Sequence, residues 1–222
     1  MNVSAIIMAA GSGSRFGEKK QFKLLKGTAL YFYSLNKFLF CDNISEIILV
    51  VPKSRLVEIK KEVTNIKKTK KVYVISGGLR RQDSVKNGLL SVSTKSQLVC
   101  IHDGARPFVS EKLIKQSIIA CSKNDGAIVA NPNFDTLKIC EKGYVKKTMD
   151  RNGVWMAQTP QVFWKIKLLN AIAASEKKNM DVTDESSMME SLGYKVSVVP
   201  GDYSNFKITS REDWERAVNI IA

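Results

Sequence analysis

The chain has 222 residues, room for one sizeable α/β domain with its own core. Its 35 Lys and Arg outweigh 21 Asp and Glu, a net charge of +14 that points to nucleic acid, an anionic surface or acidic small molecules as partners. No apolar run approaches the roughly 20 residues of a membrane span, and no leader segment is expected. The four cysteines, Cys41, Cys100, Cys121 and Cys140, form no C-x-x-C, and with the single histidine, His102, they give no zinc pattern, so a cytoplasmic protein without a membrane partner is expected.

The predicted elements alternate. A buried strand at 3–9 leads into GSGSRFGEKKQ at 11–21 and a helix at 28–40. Strand 47–51, helix 54–64, strand 72–75, helix 83–91, strand 98–101, helix 111–122 and strand 127–130 follow. Residues 134–150 read as a hairpin turning at Glu141-Lys142-Gly143. Helices at 165–175 and 183–192, a strand at 195–199 and a helix at 211–221 complete the chain. This rhythm predicts one Rossmann-like, doubly wound α/β domain over 1–222, its mostly parallel sheet covered on both faces, with a protruding β-hairpin arm. An isolated hairpin is marginal, so residues 134–150 are expected to pack on a second subunit. The lysines at 60–61 and 67–71 read as a solvated face.

In open parallel sheets ligands bind beyond the carboxyl ends of strands, and the informative motifs fall there. The segment 11–21 is neither a Walker A loop nor a G-x-G-x-x-G fingerprint, since Gly11, Gly13 and Gly17 are spaced G-x-G-x-x-x-G. Glycines after a strand bring backbone N–H groups close to phosphate oxygens, and Arg15 and Lys20 add two cations. After the third strand, Gly77-Gly78 permits close approach to a base or ribose, and Ser84 opens or caps the next helix. After the fourth, Asp103 is placed to hold Mg²⁺ against phosphates or, more plainly, to cap a helix, and Arg106 points from the same loop. His102 has no nucleophile partner and reads as a core histidine. Arg151 and Thr159 suit phosphate or polyol binding. Thr183 is a plain N-cap or a ligand contact, and Lys207, between Phe206 and Ile208, points opposite to them into a cleft.

Nine motifs occur in order: A-A-G-x-G-x-R at 9–15, K-Q at 20–21, G-G-x-x-R-x-x-S-V at 77–85, H-D-x-A-R-P at 102–107, D-T at 135–136, D-R-N-G-x-W at 150–155, T-P-Q-x-F at 159–163, T-D-E at 183–185 and N-x-K-x-T at 205–209. Together they resemble the 2-C-methyl-D-erythritol 4-phosphate cytidylyltransferases over nearly the whole chain. The resemblance implies Mg²⁺-dependent transfer of CMP from CTP to the polyol phosphate, with release of pyrophosphate. It implies that Ala9, Ala10, Gly11, Gly13, Gly78 and Ser84 hold the nucleotide, that Arg15 and Lys20 grip the triphosphate, and that Asp103 holds the metal. It also implies that Arg106, Thr136, Arg151, Thr159, Thr183 and Lys207 hold the substrate, with Thr136 coming from the arm of the other subunit of a homodimer. Lys19 stands where the family usually has Pro. The nearest rival is a cytidylyltransferase for ribitol 5-phosphate or a related polyol phosphate. A rival of another class, a basic nucleic-acid-binding module, has only the charge in its favour, because aromatic stacking motifs and a basic recognition helix are missing.

Overall fold

Alternate residues of a pleated strand face opposite sides, and in β1 (Val3–Met8) both sides are apolar. Val3, Ala5 and Ile7 enter one buried cluster and Ile6 the other, so this strand needs cover on both faces. The computed structural model, which describes residues 1–66 and 70–221, provides it; Lys67 and Lys68 of the lysine-rich segment lie outside the described residues. After a 3₁₀ turn at Lys20–Phe22 come β2 (Leu24–Leu25), β3 (Thr28–Ala29), α1 (Leu30–Leu39), β4 (Glu46–Val51), α2 (Leu56–Thr64), β5 (Lys71–Ser76), α3 (Arg81–Leu90), β6 (Leu98–Asp103), α4 (Glu111–Ser122) and β7 (Gly126–Pro132). The chain continues through β8 (Lys138–Glu141), β9 (Tyr144–Thr148), β10 (Trp155–Trp164), α5 (Lys165–Lys177), α6 (Glu185–Glu190), β11 (Val196–Pro200) and α7 (Arg211–Ile220).

Seven strands form one sheet in the order β11-β7-β10-β6-β1-β4-β5, parallel except for β10, which runs antiparallel to both neighbours. Leu35 and Phe38 of α1, Ile59 of α2 and Ile114 of α4 cover one face. Val85 and Leu89 of α3, Leu168 of α5 and Met188 of α6 cover the other. Each fully buried Leu, Ile or Phe contributes about 1.5–3 kcal/mol. The chain winds outward from β1 through β4 to β5, then returns to lay β6 on the other side of β1, where Met8 pairs with Asp103. The carboxyl ends of β1 and β6 therefore flank the switch point at which such sheets open a crevice. Helix α3 lies directly on the sheet, because Gly88 offers no Cβ; one there would stand 2.7 Å from Ile6 Cγ2. That contact carries the start of α3 toward the crevice.

Several local expectations change. The predicted helix at 28–40 begins at Leu30, because Thr28–Ala29 pairs with Leu24–Leu25. Helix α3 starts at Arg81, so Ser84 sits inside its first turn instead of capping it. The N-cap of α6 is Asp184, whose carboxylate accepts from Ser187 N–H, and Thr183 precedes it, exposed. Residues 205–209 form an irregular segment. Strand β10 was not expected at all. Its Thr159–Pro160 bond, cis here, reads as a loop because proline cannot donate to a ladder, and the strand accommodates it where its pairing with β7 shifts register between Ala157 and Gln161. The hairpin appears as β8 and β9, turning through Lys142 (φ 51°) and Gly143 (φ 86°). All of β9 is exposed, and Phe134, Tyr144, Val145 and Met149 stand apolar in solvent around it.

Candidate active site

The loop after β1 is shaped by what its backbone requires. Gly13 has φ +77°, and a Cβ there would lie 1.9 Å from Glu18 O, so the turn admits only glycine. Gln21 staples the loop to the strand end, its Nε2 donating to Ala9 O at 3.0 Å and Gly11 O at 2.7 Å. Opposite, the N–H of Gly78 donates to Ser84 Oγ at 3.0 Å and Asp83 accepts from Arg80 N–H at 3.0 Å, which fixes the Gly77-Gly78 turn at the head of α3.

Between these loops lies a cavity of about 430 Å³ at the β1–β6 switch point. Ala9, Ala10, Gly11, Gly13, Arg15, Lys20, Gly78, Ser84, Asp103 and Lys207 line it, ten of the residues singled out from the sequence. Sequence reasoning assigned no role to Ser12, Ser14, Lys19, Gln21, Leu79, Arg80 or Arg81, which also line it. The signal for Gln21 and Arg81 was present, since both belong to motifs already noted.

Asp103 is the charge centre. Lys207 Nζ lies 2.9 Å from its carboxylate, Arg106 Nε 3.5 Å and Arg81 Nη2 3.9 Å. Burial opposes ionisation, but Lys207, Arg81 and Arg106 outweigh it and hold the carboxyl well below the usual range. Lys207 reaches Asp103 because Ile208 is fully buried and Phe206 packs on Phe108, which leaves the lysine facing the cavity. Lys20 is buried while Lys19 is exposed, its Nζ 3.5 Å from Ser54 Oγ. Burial, then Lys207 and Arg15, push the Lys20 ammonium below its ordinary pKa. Arg81 forks onto the fully buried Glu185 of α6, with Nη2 2.9 Å from Oε2 and Nη1 on Oε1. Burial pushes the Glu185 carboxyl up and Arg81 pulls against it.

The remaining expected residues do not line the cavity. Arg106 is buried beneath it and donates to Asn205 O at 2.9 Å. Thr159 Oγ1 accepts from Asp103 N–H at 3.0 Å and meets His102 Nδ1 at 3.0 Å. His102 Nε2 donates to Arg106 O at 3.1 Å, so Nδ1 of the neutral ring accepts from Thr159. Burial lowers the His102 pKa to about 4, which keeps it neutral. It is the core histidine expected, and the Thr159 hydroxyl is fully engaged in holding Asp103. Thr183 is exposed at the start of α6. Thr136 and Arg151 are exposed at the base of the arm, where Arg151 donates to Phe134 O.

Several cations thus face one carboxylate in a cleft, an arrangement suited to binding a polyphosphate and stabilising charge during its cleavage. Among the described residues no three His, Cys, Asp or Glu side chains group as a metal cage. A lone ionised Asp103 fits Mg²⁺, which proteins commonly bind through one or two carboxylates plus substrate phosphates.

A family profile described as 2-C-methyl-D-erythritol 4-phosphate cytidylyltransferase matches residues 3–222. A protein of that name from Aquifex aeolicus is 42% identical over 218 residues, spanning 98% of this chain and 97% of its own. One from Clostridioides difficile is 38% identical over 220 residues, 98% and 93% of the two chains. The crystal structure of a 4-diphosphocytidyl-2C-methyl-D-erythritol synthase from Anaerococcus prevotii superposes with a TM-score of 0.86 at 35% identity, covering 99% of this chain and 97% of that one. With the profile matched across almost its entire length and relatives this close, the chain belongs to the 2-C-methyl-D-erythritol 4-phosphate cytidylyltransferase family.

Proposed function

We propose that this chain transfers CMP from CTP to 2-C-methyl-D-erythritol 4-phosphate in non-mevalonate isoprenoid synthesis. The observation that carries the reading is the cavity at the β1–β6 switch point, which gathers the Gly11 loop, Gly78, Ser84, Lys20 and Lys207 around Asp103. A phosphate oxygen of the substrate attacks the α-phosphorus of CTP. The bond from that phosphorus to the bridging oxygen breaks, and pyrophosphate leaves with the electron pair. Two anions repel, so the main task is to hold them in line, and positioning of this kind removes on the order of 7–11 kcal/mol of barrier. No protein nucleophile is needed.

In this reading the backbone of Ala9, Ala10, Gly11 and Gly13, with Gly78 and Ser84, seats the nucleotide. Arg15 and Lys20 hold the triphosphate and meet the charge that grows as pyrophosphate departs. Lys207 leaves Asp103 for the substrate's phosphate. Asp103 would hold Mg²⁺, which supplies charge neutralisation across the phosphate oxygens when bound. Arg106 and Thr159 serve the substrate end from beneath by fixing the Asp103 loop. Arg151 and Thr183 stand at the outer rim, and Thr136 reaches the site from a second copy, the single domain's arm at 134–150 crossing to a homodimer partner. Four free cysteines, three of them buried, suit a cytoplasmic enzyme.

The test is pyrophosphate release from CTP and Mg²⁺ with each candidate acceptor. Turnover with methylerythritol phosphate at the higher kcat/KM is expected; a higher kcat/KM for ribitol 5-phosphate would reject the substrate assignment.

A further inference from the structure

The environment of Lys20 poses a physical problem. As a residue Lys20 is only 8% exposed, it lines the cavity, and its charged neighbours Lys207 and Arg15 repel it. No carboxylate among the described residues forms a salt bridge with it; Asp103 and Asp213 attract it only from farther away. Its close favourable contact is the ring of Phe16, 5.6 Å from Nζ to centroid. Phe16 comes from the same loop, directly after Arg15. It is 6% exposed and packs with Leu25, Leu30, Ile208 and Ala217. Trp214 of α7 fixes the ring from the side, 5.8 Å between centroids at 57°. Lys23 lies 5.8 Å from the Phe16 centroid and 5.4 Å from that of Trp214, and is itself neutralised by Glu18 at 2.6 Å.

We propose that Phe16 is a positioning residue for the reaction, its ring face holding the Lys20 ammonium where the triphosphate arrives. This rests on the role given to Lys20 above. A carboxylate partner would also hold the lysine, but it would neutralise the charge and compete with phosphate. An aromatic face attracts a cation through its quadrupole and leaves the full positive charge for the ligand. The attraction strengthens with burial, and Lys20 keeps only 8% of its surface exposed. Helix α7, whose Asp213 also attracts Lys20 from a distance, thereby becomes a support for the loop through Trp214.

The experiment replaces Phe16 by phenylalanines carrying one, two and three ring fluorines, which drain the quadrupole with little change in size. For each protein, kcat, KM for CTP, Kd for CTP by calorimetry and melting temperature are measured. The expected result is a stepwise fall in kcat/KM with each fluorine, about fivefold or more for the trifluorinated ring, at unchanged melting temperature. The fluorine dependence of the CTP Kd should vanish in a Lys20→Met background and persist in Lys23→Met. A flat series, a slope that survives Lys20→Met, or activity that falls only in step with the melting temperature would overturn the proposal. If Lys20→Met itself turns over like the unmodified enzyme, the role of Lys20 fails. If Lys20→Met is inactive and the series is flat, the positioning role alone fails.

Discussion

Replacing Lys20 by Met keeps the aliphatic stem and removes the charge. At pH 7 the lysine costs the fold something, because burial, Lys207 and Arg15 lower its pKa. The sign follows from linkage: with the folded pKa below the unfolded one, the unfolded chain binds more protons between the two values. Stability therefore rises with pH through that window, and the penalty is fully present below it. Removing the charge should leave the melting temperature unchanged or raised. Catalysis should suffer, since loss of one preorganised contact to developing charge costs about 2.7–4 kcal/mol, roughly a hundred- to thousandfold. The loss should fall mainly on kcat, because the charge at the leaving group peaks in the transition state. Lys19→Met is the control. Lys19 lies at the cavity rim, but its side chain is exposed and reaches toward Ser54, and exposed charges contribute about 1 kcal/mol or less, so a loss under about fivefold is expected. The assay is pyrophosphate release under saturating and limiting CTP, with thermal melts alongside. Equal damage from the two substitutions, or a melting temperature that drops with Lys20→Met, would refute the reasoning.

Gly13→Ala should lower kcat/KM at least about tenfold with little change in melting temperature, because φ +77° and the 1.9 Å approach to Glu18 O deform an exposed loop and not the core; steady-state kinetics at wild-type level would contradict this. Tyr144→Asp with Val145→Asp, both on the exposed arm, should convert a homodimer to monomers in light scattering while the circular dichroism stays unchanged; a wild-type monomer at micromolar concentration would remove the basis for the arm's role. The single imidazole, His102, should titrate near pH 4 in NMR, since burial lowers its pKa. Its folded value lies below the unfolded 6.5, so stability is intact above pH 6.5 and falls by about 3 kcal/mol as pH approaches 4; an imidazole titrating at its ordinary value would show that the ring is solvated.

Strands β1, β4 and β6 were legible because their apolar runs are continuous, as strands buried on both faces require, and the partly exposed edge strands β5 and β11 were legible from shorter valine-rich runs. Strand β10 was not, because Pro160 and the polar Gln158, Thr159 and Gln161 make it read as a loop; all four are buried in the structure by hydrogen bonds and a register shift that no local pattern encodes. The residues that line the cavity were legible for a related reason. They follow strand ends, and the topology of a doubly wound sheet carries strand ends to one crevice. The residues expected at the substrate end, apart from Lys207, were less so. Arg106 and Thr159 turn out to hold Asp103 from beneath, and Thr136 and Arg151 stand exposed at the base of the hairpin, away from the cavity. The Arg81–Glu185 fork joins residues 104 apart in sequence, and only folding reveals that the two motifs are one.

The charge of the chain takes on meaning from where it is enclosed. Arg15, Lys19, Lys20, Arg80, Arg81 and Lys207 line the cavity against the single carboxylate of Asp103. Two of these cations are already spoken for, Arg80 by Asp83 and Arg81 by Glu185. Lys207 is held by Asp103 at 2.9 Å. Lys20 and Arg15 have no carboxylate within salt-bridge distance among the described residues. The uncompensated charge is thus concentrated on the loop after β1. Low-dielectric walls focus the field of such charges into a cleft, which favours a compact, highly charged ligand over an extended one. A nucleic acid would need its cations spread along a surface groove with aromatic platforms between them. The same excess of lysine that left the sequence open to several anionic partners therefore selects, once folded, for a small polyphosphate.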